Sequence, residues 1–166
     1  GEDYRQSYAA RRELGGGVLL TQIHQIDYLN WLLGPFESVV AVNQEKNSLG
    51  LDVEENVSYL LRNTSGVIAY GHVDYLRRPK QAALVIAGTK GTIEWSFYDQ
   101  SLKWVGIGED VVDTSYNSQD RNQLFYDAAL DFLESIEQQR EPRSTLTDGI
   151  NSLAIVDAIK QSIASN

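Results

Sequence analysis

The sequence predicts an α+β domain in which helices cover one face of a mainly antiparallel, open sheet of about six strands. Two patterns support this fold class. Apolar residues recur at helical spacing near both ends of the chain, and short apolar runs separated by turn signals fill the middle. The chain has 166 residues, 42% of them hydrophobic, which is enough to bury one core. We therefore expect residues 1–166 to form a single domain.

Helical periodicity marks three segments. The first covers residues 18–33, and its apolar stripe contains Ile23, Ile26, Leu29 or Asn30, and Leu33. The second begins near Arg121, with Asp120 as its expected N-cap, and has an apolar face of Phe125, Ala128 or Ala129, Phe132 and Ile136. Thr145 and Asp148 resemble a capping pair that starts the third helix. The stripe predicted for that helix contains Ile150, Leu153, Val156, Ile159 and Ile163.

The strands are predicted between the first and second helices. They cover residues 38–44, 56–63, 66–76, 81–88, 91–98 and 101–107. Hairpin turns are expected at Asn63-Thr64-Ser65 and at Thr89-Lys90, and such short connections favour antiparallel pairing. The acidic residues that follow are interpreted as a solvated loop: Glu109, Asp110, Asp113 and Asp120. Helices on one side leave the second sheet face bare, so we expect it to bury against another copy or another domain.

Composition disfavours several classes of function. The net charge is −9, which repels a phosphate backbone, so we expect no nucleic-acid partner. No apolar run approaches the length of a membrane span and no signal-peptide core is present, which makes a cytoplasmic location the expected one. The chain has no cysteine and only two histidines, without close ligand spacing, so we expect no metal site. A serine-hydrolase elbow is also missing.

Three consecutive glycines precede the first long helix. They lack a preceding strand and the G-x-G-x-x-G spacing of a dinucleotide fingerprint. Their backbone freedom is compatible with a helix stop and close packing. The alternative is that Gly16 and Gly17 let a substrate or cofactor approach the backbone. Both interpretations stay open on the sequence.

His24 is the best candidate for chemistry. It lies soon after the glycines and shares a helix stripe with Asp27, which could orient its imidazole. A lone helical histidine is often structural, so chemistry is one of two interpretations. The other histidine, His72, alternates with Asp74 on one face of a predicted strand. It either lines a cleft or lies on the surface.

Four segments follow one another along the chain: GGGVLLTQIHQIDYLNWLLGPFESVVA, VSYLLRNTSGVIAYGHVDYLRRP, LVIAGTKGTIEW and RNQLFYDAALDFLESIEQQREPRSTLTDGINSLAIVDAIKQS. In this order they resemble the C-terminal domain of the Gfo/Idh/MocA oxidoreductases. Together they span nearly the whole chain.

The resemblance implies a two-domain enzyme. An N-terminal Rossmann domain, not part of this chain, would bind NAD or NADP, and this domain would contact the substrate and form a homodimer or homotetramer through its open sheet. It also implies that His24 assists proton transfer, with a lysine of the other domain, while hydride passes to or from the nicotinamide. The expected substrate is a sugar, polyol or nucleotide-sugar. The fragment alone would be inactive.

The chain departs from the family pattern beside His24. Many members have an aspartate four residues before the histidine, where this chain has Leu20, and Thr21 is the nearest polar residue. Either the helix register differs here, or Thr21 contacts the substrate where an acid usually would. Further substrate contacts are predicted among polar and aromatic residues before the glycines and on the strand: Tyr4, Arg5, Tyr8, Arg12, His72, Asp74 and Tyr75. The alternative function is a non-catalytic assembly or binding module that uses the open sheet face.

Overall fold

A computed structural model describes residues 4–46, 48–108, 111–115 and 121–165. The chain divides into two compact units, Gly1–Leu76 with Ser144–Asn166, and Arg77–Arg143. Every strand pair in the described residues is antiparallel, which confirms the predicted α+β class. The described strands number seven rather than about six, and they form one sheet of three strands and one of four.

In its described residues the first unit contains three 3-10 turns, three α-helices and a three-stranded sheet. Three 3-10 turns lie at Tyr4–Gln6, Tyr8–Ala10 and Arg12–Leu14. They are followed by α1 (Val18–Thr21), α2 (Ile23–Leu33), β1 (Phe36–Asn43), β2 (Asn56–Asn63) and β3 (Ile68–Asp74). The helix at the end of the chain, α4 (Leu146–Ala164), belongs to the same unit and follows α3 (Arg121–Glu137) of the other unit.

The two faces of this sheet differ in burial. On β2, Val57, Tyr59 and Leu61 are at most 2% exposed, whereas Leu60 is 47% exposed. The buried side faces α1, α2 and α4, which pack on it directly or on each other. The predicted placement of helices on one face is therefore confirmed in this unit.

The opposite face, here called the outer face, carries an apolar row. Val40 pairs with Leu60, and Leu60 pairs with Tyr70, so the three side chains lie side by side across β1, β2 and β3. Their exposed fractions are 61%, 47% and 66%. Such a continuous exposed apolar patch is typical of a surface that associates with another chain.

A close contact ties β2 to β3. Tyr59 pairs with Gly71, and a Cβ at position 71 would lie 2.1 Å from Tyr59 Cζ. The tyrosine ring therefore occupies the space that a side chain at position 71 would need. Burial raises the pKa of Tyr59, and the neighbouring Tyr28 adds to this effect.

The helix predicted at residues 18–33 is interrupted. Gln22, with φ −110° and ψ 20°, separates α1 from α2. The backbone amide of Gln25 bonds to the Gln22 carbonyl, which is the tight turn that restarts the helix. The apolar stripe itself is confirmed, since Ile26 and Leu29 are buried.

The start of α4 agrees with the sequence, and its predicted stripe is confirmed at Val156 and Ile159, which are fully buried. Thr145 and Asp148 form the predicted capping box, with both reciprocal bonds present. Ile150 and Leu153, however, are 55% and 47% exposed, so their assignment to the stripe was wrong. Ser152 is buried instead, because its hydroxyl bonds to Asp27 on α2. A polar residue with a polar partner thus replaces the apolar contact that periodicity predicted.

The second unit holds the four-stranded sheet. Its strands are β4 (Ala83–Gly88), β5 (Gly91–Ser96), β6 (Ser101–Gly106) and β7 (Val112–Ser115). The hairpin predicted at Thr89-Lys90 is confirmed. Asp113 lies in β7 rather than in a loop, because it pairs with Lys103 of β6 at an N–O distance of 3.7 Å. Glu109, Asp110 and Asp120, including the predicted N-cap, lie outside the described residues.

The apolar face predicted for α3 is solvent-exposed. Phe125, Phe132 and Ile136 are 63%, 58% and 60% exposed. Arg140 bonds back to Asp131 at 2.9 Å and so secures the end of the helix. In the described part of the chain, no helix is both long enough and apolar enough to cross a membrane.

Candidate functional site

The glycine loop packs tightly against the chain that precedes it. Gly16 is buried, and a Cβ there would lie 2.6–2.7 Å from the carbonyl oxygens of Tyr8, Ala9 and Arg11. Gly17 has a φ of 111°, a conformation that side chains rarely adopt. Close packing and backbone geometry therefore account for both glycines, and a contact with substrate or cofactor stays a prediction.

Glu54 closes the other side of the loop. Its carbonyl accepts a bond from Val18 N at 3.0 Å, and its carboxylate accepts one from Leu19 N at 3.4 Å. The carboxylate also fills the space beside Gly17, where a Cβ would meet it at 2.4 Å. The loop therefore does not fit the phosphates of a dinucleotide, since the carbonyl and the carboxylate of Glu54 already occupy the amide groups of Val18 and Leu19 that would bind them.

The sequence alone did not identify Glu54. It stands in a short acidic run, Asp52-Val53-Glu54-Glu55. Neither helical periodicity nor strand alternation relates this run to the glycines. Only the fold brings it to the loop. The acidic run directly before a predicted strand was the available signal.

His24 lies in the first turn of α2 and is exposed to solvent. Within the described part of the chain, its ring makes no side-chain hydrogen bond or ion pair. Asp27 lies one turn later, but its Oδ1 accepts a bond of 2.6 Å from Ser152 Oγ. This bond ties α2 to α4, and an orienting role of Asp27 towards His24 stays a prediction.

Thr21 and Tyr75 meet beside the glycine loop. Thr21 Oγ1 lies 2.6 Å from Tyr75 Oη and 2.9 Å from the carbonyl oxygen of Gly17. Tyr75 Oη also donates to the Ala9 carbonyl at 3.1 Å. Burial raises the pKa of the Tyr75 hydroxyl; the hydrogen bond with Thr21 partly offsets this rise, and the nearby Glu54 and Tyr8 add to it.

The predicted contacts before the loop have different environments. The guanidinium of Arg12 donates from Nε to the carbonyl oxygen of Asp52 at 3.0 Å. This bond links the 3-10 turn that contains Arg12 to the loop that precedes β2. Tyr8 is 61% exposed and Arg5 is also exposed. Tyr8 is thus available to a ligand near Tyr75, and Arg5 lies on the surface one turn before it.

His72 and Asp74 lie on the outer face of the sheet. Ser58 Oγ is 2.8 Å from His72 Nδ1, and Asp74 Oδ2 is 3.3 Å from His72 Nε2. Side chains alternate along a strand, so His72 and Asp74 point away from the side where Ala69, Gly71 and Val73 are buried. The fold therefore groups Thr21, Tyr8 and the glycine loop with Tyr75, but not with His72 or Asp74.

Two further observations concern binding sites in the described residues. No group of three histidine or acidic side chains is arranged to hold a metal ion in those residues. A cleft of about 240 Å³ lies where β1 begins, between α2 and α4. Its lining includes Asn30, Phe36, Leu61, Asn151 and Ile155, and none of the predicted site residues.

Comparison with known proteins identifies the family. The family model described as "Oxidoreductase family, C-terminal alpha/beta domain", of the Gfo/Idh/MocA group, matches residues 2–166. The chain belongs to this family. A curated relative, 1,5-anhydro-D-fructose reductase of Ensifer adhaerens, is 29% identical over 172 residues, which cover 93% of this chain and 47% of that protein.

Solved structures share the fold. Levoglucosan dehydrogenase in complex with NADH and levoglucosan matches with a TM-score of 0.86 and 19% identity, over 96% of this chain and 52% of that one. Aldose-aldose oxidoreductase of Caulobacter crescentus, complexed with glycerol, matches with a TM-score of 0.84 and 22% identity, over 99% and 50% of the two chains. The chain thus spans about half the length of the proteins it matches.

Proposed function

We propose that this chain is the substrate-binding and assembly half of an NAD(P)-dependent oxidoreductase that acts on a sugar, polyol or nucleotide-sugar. The observation that carries the proposal is the solvent-facing His24 beside the glycine loop, in a chain that belongs to an oxidoreductase family. The names of the relatives, which include a reductase and a dehydrogenase of sugar derivatives, support the substrate class.

His24 is proposed as the general acid/base. When an alcohol is oxidised, its hydroxyl proton must leave as hydride leaves the carbon, so a base has to lie within hydrogen-bond reach of that hydroxyl. His24 is accessible and its ring is not engaged by other described side chains, which leaves it free to bind a substrate hydroxyl. Tyr8, which is exposed and lies near Tyr75, and the exposed Arg5 are proposed to contact the substrate.

The nicotinamide cofactor is proposed to bind mainly to a separate nucleotide-binding half. Glu54 and the packed glycines leave no space for the cofactor's phosphates in the loop. Gly16 and Gly17 would therefore contact the cofactor only through their backbone atoms. When bound, the cofactor would carry the hydride. The chain's own residues would bind the substrate, orient it and hold the proton.

The test replaces His24 in an enzyme that joins this chain to a nucleotide-binding half. His24→Ala should lower kcat roughly 10²–10⁴-fold, which is the usual contribution of a general acid/base. The melting temperature should stay close to that of the parent, because His24 is exposed. Turnover is followed through NAD(P)H absorbance with a panel of sugars and polyols.

Leu32→Ala provides the matched control. Leu32 lies on the same helix and is 44% exposed, so its truncation tests for general damage to α2. The control should keep turnover within about twofold, as expected for an exposed site away from the reaction. Parent-like turnover in His24→Ala would exclude the catalytic role.

The outer face favours a second candidate function, a non-catalytic assembly module. Its apolar row of Val40, Leu60 and Tyr70 would support chain pairing without any catalysis. The region encoded upstream separates the two candidates. A dinucleotide fingerprint there supports the enzyme, whereas an unrelated region supports the assembly module.

A further inference from the structure

The hydroxyl of Tyr75 connects three segments of the first unit. Tyr75 directly follows β3, Thr21 is the last residue of α1, and Ala9 lies in the 3-10 turn before the glycine loop. The Tyr75 oxygen is 2.6 Å from Thr21 Oγ1 and 3.1 Å from the Ala9 carbonyl oxygen. One atom therefore links the sheet, the first helix and the segment that carries Tyr8.

The two hydroxyls have enough protons to satisfy this network. If Tyr75 donates to the Ala9 carbonyl, then Thr21 donates to Tyr75; if Thr21 donates to the Gly17 carbonyl, then Tyr75 donates to Thr21. Both arrangements keep the pair bonded in a half-buried setting. Removing either hydroxyl leaves a polar group with fewer partners, which favours movement of the segment that carried it.

Thr21 lies next to the helix break at Gln22, which sets the direction of the helix that carries His24. Gln22 separates α1 from α2, and His24 follows in the first turn of α2. A residue that fixes the end of α1 therefore fixes the direction in which α2 leaves. No other described side chain holds the His24 ring, so its position depends on the backbone.

We propose that Tyr75 is a positioning residue for His24: its hydroxyl bond to Thr21 fixes the helix break at Gln22 and thereby the placement of the imidazole. The functional meaning of this placement rests on the proposed role of His24. The coupling between Tyr75 and His24 itself does not, and it can be measured on this chain alone.

The first experiment is NMR spectroscopy of the histidine side chains in the 166-residue chain. The chain has two histidines, so His24 and His72 give two sets of ring signals. Tyr75→Phe should shift the His24 signals and leave those of His72 in place, because His72 lies on the other side of β3. Thr21→Val, which removes the partner hydroxyl, should shift His24 in the same direction.

Tyr70→Phe is the matched control. It makes the same substitution at a tyrosine within β3, but Tyr70 Oη lies 3.5 Å from Ser58 Oγ, which bonds to His72. This variant should shift His72 and leave His24 unchanged. The proposal is overturned when His24 does not respond to Tyr75→Phe, and also when both histidines respond, since the change would then not be local.

The second experiment measures kinetics in the enzyme that joins this chain to a nucleotide-binding half. Tyr75→Phe should lower kcat roughly tenfold while KM stays within about twofold, because small misplacements of a reacting group slow chemistry more than binding. The Thr21→Val/Tyr75→Phe double variant should be no slower than the slower single variant.

The two proposals fail in different ways. An enzyme whose parent form performs no hydride transfer contradicts the proposed function, while the NMR result still decides the coupling. Multiplicative losses in the double variant, or a loss confined to KM, would overturn the positioning role even with a fully active parent.

Discussion

The inner and outer faces of the three-stranded sheet are built from the same strands but have different environments. The inner face is covered by helices, and Leu61 and Val73 on it are at most 3% exposed. The outer face presents Leu60 and Tyr70, which are about half and two-thirds exposed. The inner face therefore determines the fold of this unit, while the outer face contributes little to it and is available for association.

The two histidines differ in a similar way. His72, on the outer face, has one ring nitrogen beside Ser58 and the other beside Asp74. His24, on α2, has no such side-chain partners among the described residues. A ring held at both nitrogens is well suited to a fixed structural role, whereas an open ring can accept a new hydrogen bond from a ligand. The comparison favours His24 over His72 as the reactive histidine.

The largest expected effect is a difference in the free energy of unfolding between alanine variants of two adjacent leucines on β2. Leu61→Ala removes a fully buried side chain and should lower the free energy of unfolding by about 2–5 kcal/mol. Leu60→Ala should change it by less than about 0.5 kcal/mol in the monomer, because the side chain is already exposed. Urea unfolding followed by circular dichroism measures both. Equal losses would mean that the outer face is covered within the monomer.

Association through the outer face is the next test. Leu60→Glu places a charge in the middle of the apolar row, and burying an unpaired charge is costly. If copies pair through this face, the dissociation constant should rise at least roughly tenfold, equivalent to about 1.4 kcal/mol. Sedimentation velocity over a concentration series measures it, with Leu146→Glu as a control at another exposed leucine. A parent chain that stays monomeric throughout contradicts the assembly role.

A smaller effect is expected at the start of α4, the helix that packs against β1. Thr145→Ala removes the N-cap hydroxyl that accepts from Asp148 N at 3.2 Å. The loss of this cap should lower the free energy of unfolding by about 1 kcal/mol. Thr145→Ser keeps the hydroxyl and should restore most of it. If Ser and Ala variants are equally stable, the capping box contributes nothing measurable.

The smallest expected effect is a pH dependence at the same cap. Hydrogen bonds from the side chain and then the backbone of Thr145 lower the pKa of Asp148 below its ordinary value. A lowered pKa in the folded state means that the carboxylate adds stability above the pKa of the unfolded chain and loses it as pH falls through the folded value. The melting-temperature gap between the parent and Asp148→Asn should therefore be present at neutral pH and shrink below about pH 4. A gap that is constant with pH would contradict this assignment.

Much of the fold could be predicted because its signals are local. The Asn63 turn is one example: Asn63 Oδ1 accepts from the backbone amides of Ser65 and Val67, a short-range pattern that asparagine favours. The capping box of Thr145 and Asp148 is another. Such features depend on residues a few positions apart, so the sequence displays them directly.

Features that depend on distant partners could not be predicted. Ser152 is buried because Asp27, 125 residues earlier in the chain, accepts its hydrogen bond. Glu54 reaches the glycine loop only through the pairing of the strand that follows it. Asp113 belongs to a strand because Lys103 lies opposite. In each case a polar side chain gains a partner from another element, which periodicity and composition do not encode.

The candidate site was predicted in part. The sequence indicated His24 and Thr21, and it placed Tyr75 on the strand that leads to them. It did not indicate that Thr21 would bond to Tyr75, or that His72 and Asp74 would lie on the other face, because strand register decides which side chains share a face. A shift of one residue in β3 would exchange these two groups.

The contact between Tyr59 and Gly71 has a consequence for how this sequence can change over generations. Any side chain at position 71 would collide with the Tyr59 ring on the neighbouring strand. The requirement for glycine at this position therefore comes from Tyr59 and not from the backbone conformation of Gly71. A larger residue at position 71 becomes tolerable only after Tyr59 has been replaced by a smaller residue. The two positions are therefore expected to vary together among relatives, with a small residue at one accompanying a large residue at the other.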